Sequence, residues 1–274
     1  MSTSKTLRVA LGLLALLAVP VATFATQSQP QAQAQPATPT ETDSSLFQQI
    51  LQSNDPVARL QLVDKFLSAY PESRYRTYAL AAGAEASRMK NDFDKAIEYG
   101  EKALALDPNY TVALILVADS LSEGSQSSQP DYQERLKKAE DYSKHALELL
   151  PAFFASWQRS PDIPAEQYEL QEDSIEAQVH ATLGYVYYRR NELPAAETEL
   201  KMATDLNQLR PNSADFERLG LVQVQQKEYD LARDSFQRCV ETAGPSSDVC
   251  QRRLELLEKV IEQEKAKETE KPKE

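Results

Sequence analysis

Two histidines, two cysteines and a surplus of carboxylates are the side chains from which this sequence could build a reactive centre. His145 and His180 lie in separate stretches of the chain, and no HxxxH, CxxC or HExxH places further ligands at metal-binding spacing. There is no glycine-rich phosphate loop and no GxSxG elbow to expose a nucleophile. Most acidic residues sit in helical runs such as EDYSKHALELL, with cation partners four residues on, as Glu98 has Lys102. That is the pattern of solvated helix faces. Paired acids for hydrolysis would have to converge in a pocket, and no spacing here implies that they do. The chain therefore reads as non-enzymatic, with no metal and no cofactor.

The elements around these residues are helical. Alanine, leucine, glutamate, glutamine and lysine dominate the 274 residues, while glycine is limited to 7, a composition that favours helix over sheet. Apolar residues recur at helical period throughout, without convincing alternation. The 42 acidic residues exceed the 30 basic ones, and a net charge of -12 repels phosphate backbones, which argues against nucleic acid as partner.

Both ends have a different character. Lys5 and Arg8 precede an apolar stretch from Val9 to Val19 that ends at Pro20, and Thr23-Phe24-Ala25 offers small residues for signal peptidase. Even Val9 to Phe24 falls short of the ~20 residues that span a bilayer. Residues 1–25 thus read as a signal peptide cleaved near Ala25, giving an exported protein, periplasmic or secreted, with a short uncleaved anchor as the alternative. Membrane contact is then transient, through the signal alone. No cysteine follows the apolar stretch, which excludes a bacterial lipoprotein. Residues 26–43 are rich in Gln, Ala, Pro and Thr and read as a disordered linker, and residues 265–274 as a disordered charged tail.

Between these ends the chain repeats itself. Ala96 and Ala103, Ala139 and Ala146, Ala196 and Ala203, and Ala232 and Cys239 are pairs of small residues at one spacing, each preceded by a further small residue, at Ala84, Ala118, Gly184 and Gly220. Small residues at such points let antiparallel helices approach closely. Pro108 and Pro151 then stand where a second helix should stop. This set of positions resembles the tetratricopeptide repeat, a helix-turn-helix unit. The copies lie near residues 77–110, 111–151, 177–211 and 213–246. A polar segment around Ser122 to Pro130 enlarges the second copy's turn, and the third copy's first helix should begin early, after Pro164. Gly100, where a large apolar residue is usual, predicts looser packing in the first copy.

The resemblance implies an all-α, right-handed α-solenoid over residues 44–264: a degenerate N-terminal helical pair, four repeats and a capping helix at 247–264. It also implies a protein or peptide partner held on the concave face, which the first helix of each repeat lines. The positions that do so in the family give Tyr78, Met89, Ile115, Tyr185, Tyr188, Arg189, Leu221 and Val224 as partner-binding residues. Glu85, Arg88, Asp119 and Glu217 make the groove mixed in charge. His180 falls where side chains pack between helices. The repeat pattern also sets Cys239 on the helix against which the cap, with Cys250, should stack, so a disulfide between them is expected in an oxidising compartment, the alternative being Cys239 as a buried small residue in place of alanine and Cys250 as a free thiol. The function this implies is a non-catalytic adaptor or scaffold of the periplasm or cell envelope. The alternative is a structural or assembly factor of the envelope.

Overall fold

The computed structural model describes residues 42–270, which form eleven α-helices and, among the described residues, no strand. The predicted signal peptide, its cleavage site and most of the linker lie outside the described residues. Thr42 opens α1 (Asp43–Gln52): its hydroxyl accepts the Ser45 N–H, and the Ser45 hydroxyl oxygen accepts the Thr42 N–H in return. At α2 (Pro56–Ala69) the Asp55 carboxylate accepts the N–H groups of Val57 and Ala58, and Pro56 fills the first helical position, where no N–H is needed.

Four helical hairpins follow: α3 (Arg76–Met89) with α4 (Phe93–Leu106), α5 (Thr111–Gly124) with α6 (Tyr132–Ala155), α7 (Ala165–Arg189) with α8 (Leu193–Leu206), and α9 (Ser213–Gln225) with α10 (Tyr229–Glu241). A last helix, α11 (Ser247–Glu270), closes the array. One turn recurs in three hairpins. Asn91, Asn191 and Lys227 adopt φ of 57°, 62° and 63°. The next N–H then returns to a carbonyl five residues back, Asp92 to Ser87 at 3.0 Å, Glu192 to Tyr187 at 2.9 Å and Glu228 to Gln223 at 2.8 Å. The second hairpin lacks this turn and uses the longer segment 125–131, where the Arg135 guanidinium donates to Ser125 Oγ at 3.0 Å.

Each second helix packs on its own first helix and on the first helix of the next hairpin, and the first helices α3, α5, α7, α9 and α11 form a row. This is an α-solenoid. Small residues set the spacing: a Cβ on Gly184 would lie 2.6 Å from Leu200 Cγ, so α7 and α8 could not otherwise approach. At Gly100 a Cβ would lie 2.3 Å from Val117 Cγ2, so this glycine admits a buried valine from α5. The expectation of loose packing there is corrected: the large residue lost on α4 is supplied by its neighbour.

Two boundaries also differ from the sequence reading. α6 does not end at Pro151 but runs on to Ala155. Proline removes only one hydrogen bond of the last turns, and Phe153 and Phe154 pack that stretch against the core. Trp157 joins them, its ring 5.7 Å from Phe153 and 5.1 Å from Phe154. α11 extends to Glu270, beyond the predicted end at 264, because the run of Glu, Lys and Ala there consists of strong helix formers.

Candidate partner-binding groove

Ion pairs tie the helices of the array together. Arg59 of α2 donates to Glu85 of α3 at 3.0 Å, and both side chains are buried. Burial pushes the Glu85 carboxyl up from its ordinary range, although Arg59 and Arg88 pull it down. Arg88 of α3 reaches Asp119 of α5 at 2.7 Å, and Arg253 of α11 reaches Glu217 of α9 at 3.1 Å. A fourth pair passes over a helix: Glu123 of α5 accepts from Arg218 of α9, and the Arg218 guanidinium lies 4.2 Å above the ring centre of Tyr185 on α7.

Tyr185 is the hub of this region. A second guanidinium, that of Arg189, stands 5.3 Å from its ring. The Tyr188 ring stacks at 6.4 Å and 17°. Burial, and then the Glu123 carboxylate beside it, push the Tyr185 phenol up. Tyr188 is held from the other side, its hydroxyl accepting from Gln225 of α9 at 3.2 Å. Beneath Arg218 lies Asp215, 3% exposed, with one carboxylate oxygen lacking any hydrogen-bond partner. Arg218 Nη1 is 4.0 Å from that oxygen. Burial pushes Asp215 up to about 6, with Arg218 and Asn212 opposing the shift and Asp119 and Glu123 adding to it.

Of the eight residues expected in the groove, five fall on α7 and α9: Tyr185, Tyr188, Arg189, Leu221 and Val224. Tyr185, Tyr188, Leu221 and Val224 are half-buried, the last two packed in part on the C-terminal core. Arg189 is also half-buried, but its guanidinium is committed, donating to the carbonyls of Ser122 and Ser125 that end α5. It therefore ties two repeats together and is not free for a partner. Ile115 is 2% exposed and belongs to the core, not the groove. The reason is its helix: every residue from Thr111 to Ser122 is buried, because α3, α4, α6 and α7 surround α5. Tyr78 is half-buried at the edge of the core, its ring edge-on to Tyr110 at 5.5 Å, and Met89 is half-buried at the end of α3.

Glu123, Arg218 and Asp215 were not among the expected residues. Glu123 occupies the thirteenth position of its copy, equivalent to Met89 and Arg189, so that signal was available. Arg218 stands at a position that does not line the groove and reaches it by the length of its side chain. Asp215 stands out on comparison of copies: the equivalent positions hold Ala79, Ala113 and Val179, all within 1% of full burial.

Away from the groove, Cys239 and Cys250 are joined by a disulfide between α10 and α11, with Cα atoms 6.1 Å apart. His180 Nδ1 lies 2.6 Å from Glu199 Oε2, in a buried position between α7 and α8. Among the described residues no His, Cys, Asp and Glu cluster has the make-up of a metal site.

A tetratricopeptide repeat model matches residues 84–110. No curated protein sequence matches the chain. Solved structures share the architecture at low identity. A thermophilic tetratricopeptide-repeat protein of Thermus thermophilus, TTC0263, superposes with TM-score 0.52 at 18% identity, covering 79% of this chain and 98% of that one. MamA (residues 41 to end) from Desulfovibrio magneticus RS-1 gives 0.50 at 15% identity, covering 73% and 93%. The RpL4 assembly chaperone Acl4 gives 0.52 at 13% identity, covering 74% and 75%.

Proposed function

We propose, from the premise that this chain is a tetratricopeptide-repeat protein, that it is a non-catalytic adaptor which receives a segment of a partner protein along its row of first helices. The fold itself supports a role in protein–protein interaction. The observation that carries the groove reading is the half-buried Tyr185–Tyr188 stack, joined to the next first helix by the hydrogen bond from Gln225 to the Tyr188 hydroxyl. Stacked aromatic rings supply rigid contact area at small entropic cost, and binding energy concentrates on such residues. The charges around them are already paired within the protein, so the free contribution of the groove is apolar and aromatic.

The place of action we propose is the periplasm or cell envelope, on the strength of Lys5, Arg8 and the apolar stretch before Ala25. Intact mass of protein recovered from cell envelopes tests this, with a mature chain beginning near Thr26 expected and a full-length mass counting against it. For the groove, partners captured from envelope fractions are compared between wild type and Tyr185→Ala/Tyr188→Ala. The double variant is expected to bind more weakly by about 2–4 kcal/mol with unchanged helix content. Undiminished capture, or loss of helix, returns these tyrosines to a structural role.

A further inference from the structure

The last helix does more than close the array. On α9, Leu219 and Val222 pack against α8, and Asp215 is buried one turn before them. The same spacing recurs on α11 as Cys250, Leu254 and Leu257. Cys250 is bonded to Cys239 of α10, and Leu254 and Leu257 join the cluster around Phe236 of that helix. α11 therefore stands to α10 as α9 stands to α8. Aligned on these residues, Leu256 and Val260 fall where α9 has Leu221 and Gln225, and Arg252 and Lys259 fall where it has Glu217 and Val224. Those are groove positions.

We propose that the groove continues onto α11, and that this end of it takes a partner segment carrying both aliphatic and acidic side chains. The aliphatic side chains cover Leu256 and Val260, and the carboxylates pair with Arg252 and Lys259. The proposal rests on the groove reading and gives the partner its chemistry at one end of that groove.

Exposure and charge carry this together. Leu256 is 60% exposed and Val260 39%, one turn apart on the same side of the helix, whereas the equivalent Leu221 is half-buried on the C-terminal cluster. The groove carboxylates and the guanidinium of α3, α5 and α9 are already paired within the protein, as Arg88 is with Asp119 and Glu217 with Arg253. Arg252 and Lys259 differ. Both are exposed, and among the described residues neither has an ion pair, in a chain whose 42 acidic residues outnumber its 30 basic ones. A carboxylate from a partner can meet them without breaking an internal pair. A purely acidic segment would leave Leu256 and Val260 in water, and a basic one would set like charges against each other, which disfavours docking. Only a segment with both kinds of side chain is matched.

Random peptides displayed on phage, selected on the purified protein, test this without a known partner. Enriched sequences are expected to combine Leu, Ile or Val with Glu or Asp. An enriched peptide, fluorescently labelled, is then titrated by anisotropy. Leu256→Ser/Val260→Ser is expected to weaken it by about tenfold or more, and Arg252→Glu/Lys259→Glu by a similar factor. Reselection on the charge-swapped variant is expected to favour Lys and Arg in place of Glu and Asp. All four side chains are exposed, so helix content is expected to hold. If Leu256→Ser/Val260→Ser loses helix, the charge-swapped variant, which keeps both aliphatic side chains, decides alone. Three results overturn the proposal: no enrichment, enriched peptides lacking acidic or aliphatic residues, or an affinity indifferent to the α11 variants. A dimer of the protein that Leu256→Ser/Val260→Ser dissociates in sedimentation overturns it too, since the occupant would be a second copy. Tyr185→Ala/Tyr188→Ala separates the two readings. Peptide binding lost in that variant and kept in the α11 variants leaves the groove and removes α11 from it. The reverse keeps the α11 end and returns the tyrosines to a structural role.

Discussion

The N-terminal and C-terminal parts of this solenoid hold together by different means. From α1 to α7 one apolar cluster extends without a break, from Leu46 to Val186, and α5 in its middle is buried on all sides. From α9 to α11 the cluster is small: Phe216, Ala232, Phe236, Leu257 and Ile261 around the two cysteines. There the connections are a disulfide and the ion pairs Arg233–Glu258 at 2.6 Å and Arg253–Glu217 at 3.1 Å. Leu256 on the cap is 60% exposed, as befits a helix with no further repeat to cover it. Repeat arrays are stabilised between neighbours, so the end of the array has fewer apolar contacts available and relies on covalent and charged links.

The sharpest way to break this comparison is in the large core. Phe66 on α2 is fully buried and packs 6.1 Å from Phe47 and 5.7 Å from Tyr70. Phe66→Ala is expected to cost about 3–5 kcal/mol, as large-to-small changes in close-packed cores do. Denaturant unfolding followed by circular dichroism measures it. A loss below about 1 kcal/mol would show that α1 and α2 are accessory to the core.

A smaller effect, with a different locality, is expected from the bridge. Cys239 and Cys250 are 11 residues apart in sequence, so by loop-closure entropy their bond contributes about 2–3 kcal/mol. Cys239→Ser/Cys250→Ser should lower the midpoint of helix loss, while fluorescence of Trp157, the one tryptophan, reports the α6–α7 region and should move less. Coincident transitions in the variant would mean that the two parts unfold as one cooperative unit.

The sequence carried most of the architecture because a repeat states its own rule several times. Ala84, Ala118, Gly184 and Gly220 mark one close approach in four copies, and a reader needs no energy function to align them. Boundaries were less legible. Pro151 argues locally for a stop, and only the tertiary packing of Phe153 and Phe154 extends the helix past it. The groove was legible by position but not by accessibility. Ile115 obeys the positional rule and is nonetheless enclosed, because exposure depends on how tightly neighbouring repeats close around α5. Arg189 obeys it too, and is claimed by carbonyls that the enlarged turn of the second copy brings within reach. Arg218 shows the converse, a long side chain entering from a position the rule leaves out.

The smallest expected effect has the opposite sign and lies at the joint between the two parts. Asp215 is a carboxylate where the other copies have Ala79, Ala113 and Val179, and burial holds it at about 6 against 3.8 for the unperturbed group. Below 3.8 both the folded and the unfolded chain keep the proton, and the side chain carries no charge penalty. As pH rises from there to about 6, the unfolded chain ionises while the folded one resists, so stability falls across that window and levels off above it. Asp215→Asn removes the titration. It is expected to raise stability at neutral pH by about 1–2 kcal/mol, less than the full shift implies because the amide must also find partners in the same space. Below pH 3.8 the variant should match or trail the wild type. Unfolding free energies of both proteins between about pH 3 and 8 decide the matter, and parallel curves would mean that Arg218 satisfies the Asp215 charge fully in the folded state. A crossing of the two curves, with the variant ahead above about pH 6, would make this aspartate a local cost in stability, carried on a helix whose Leu219 and Val222 are buried against α7 and α8.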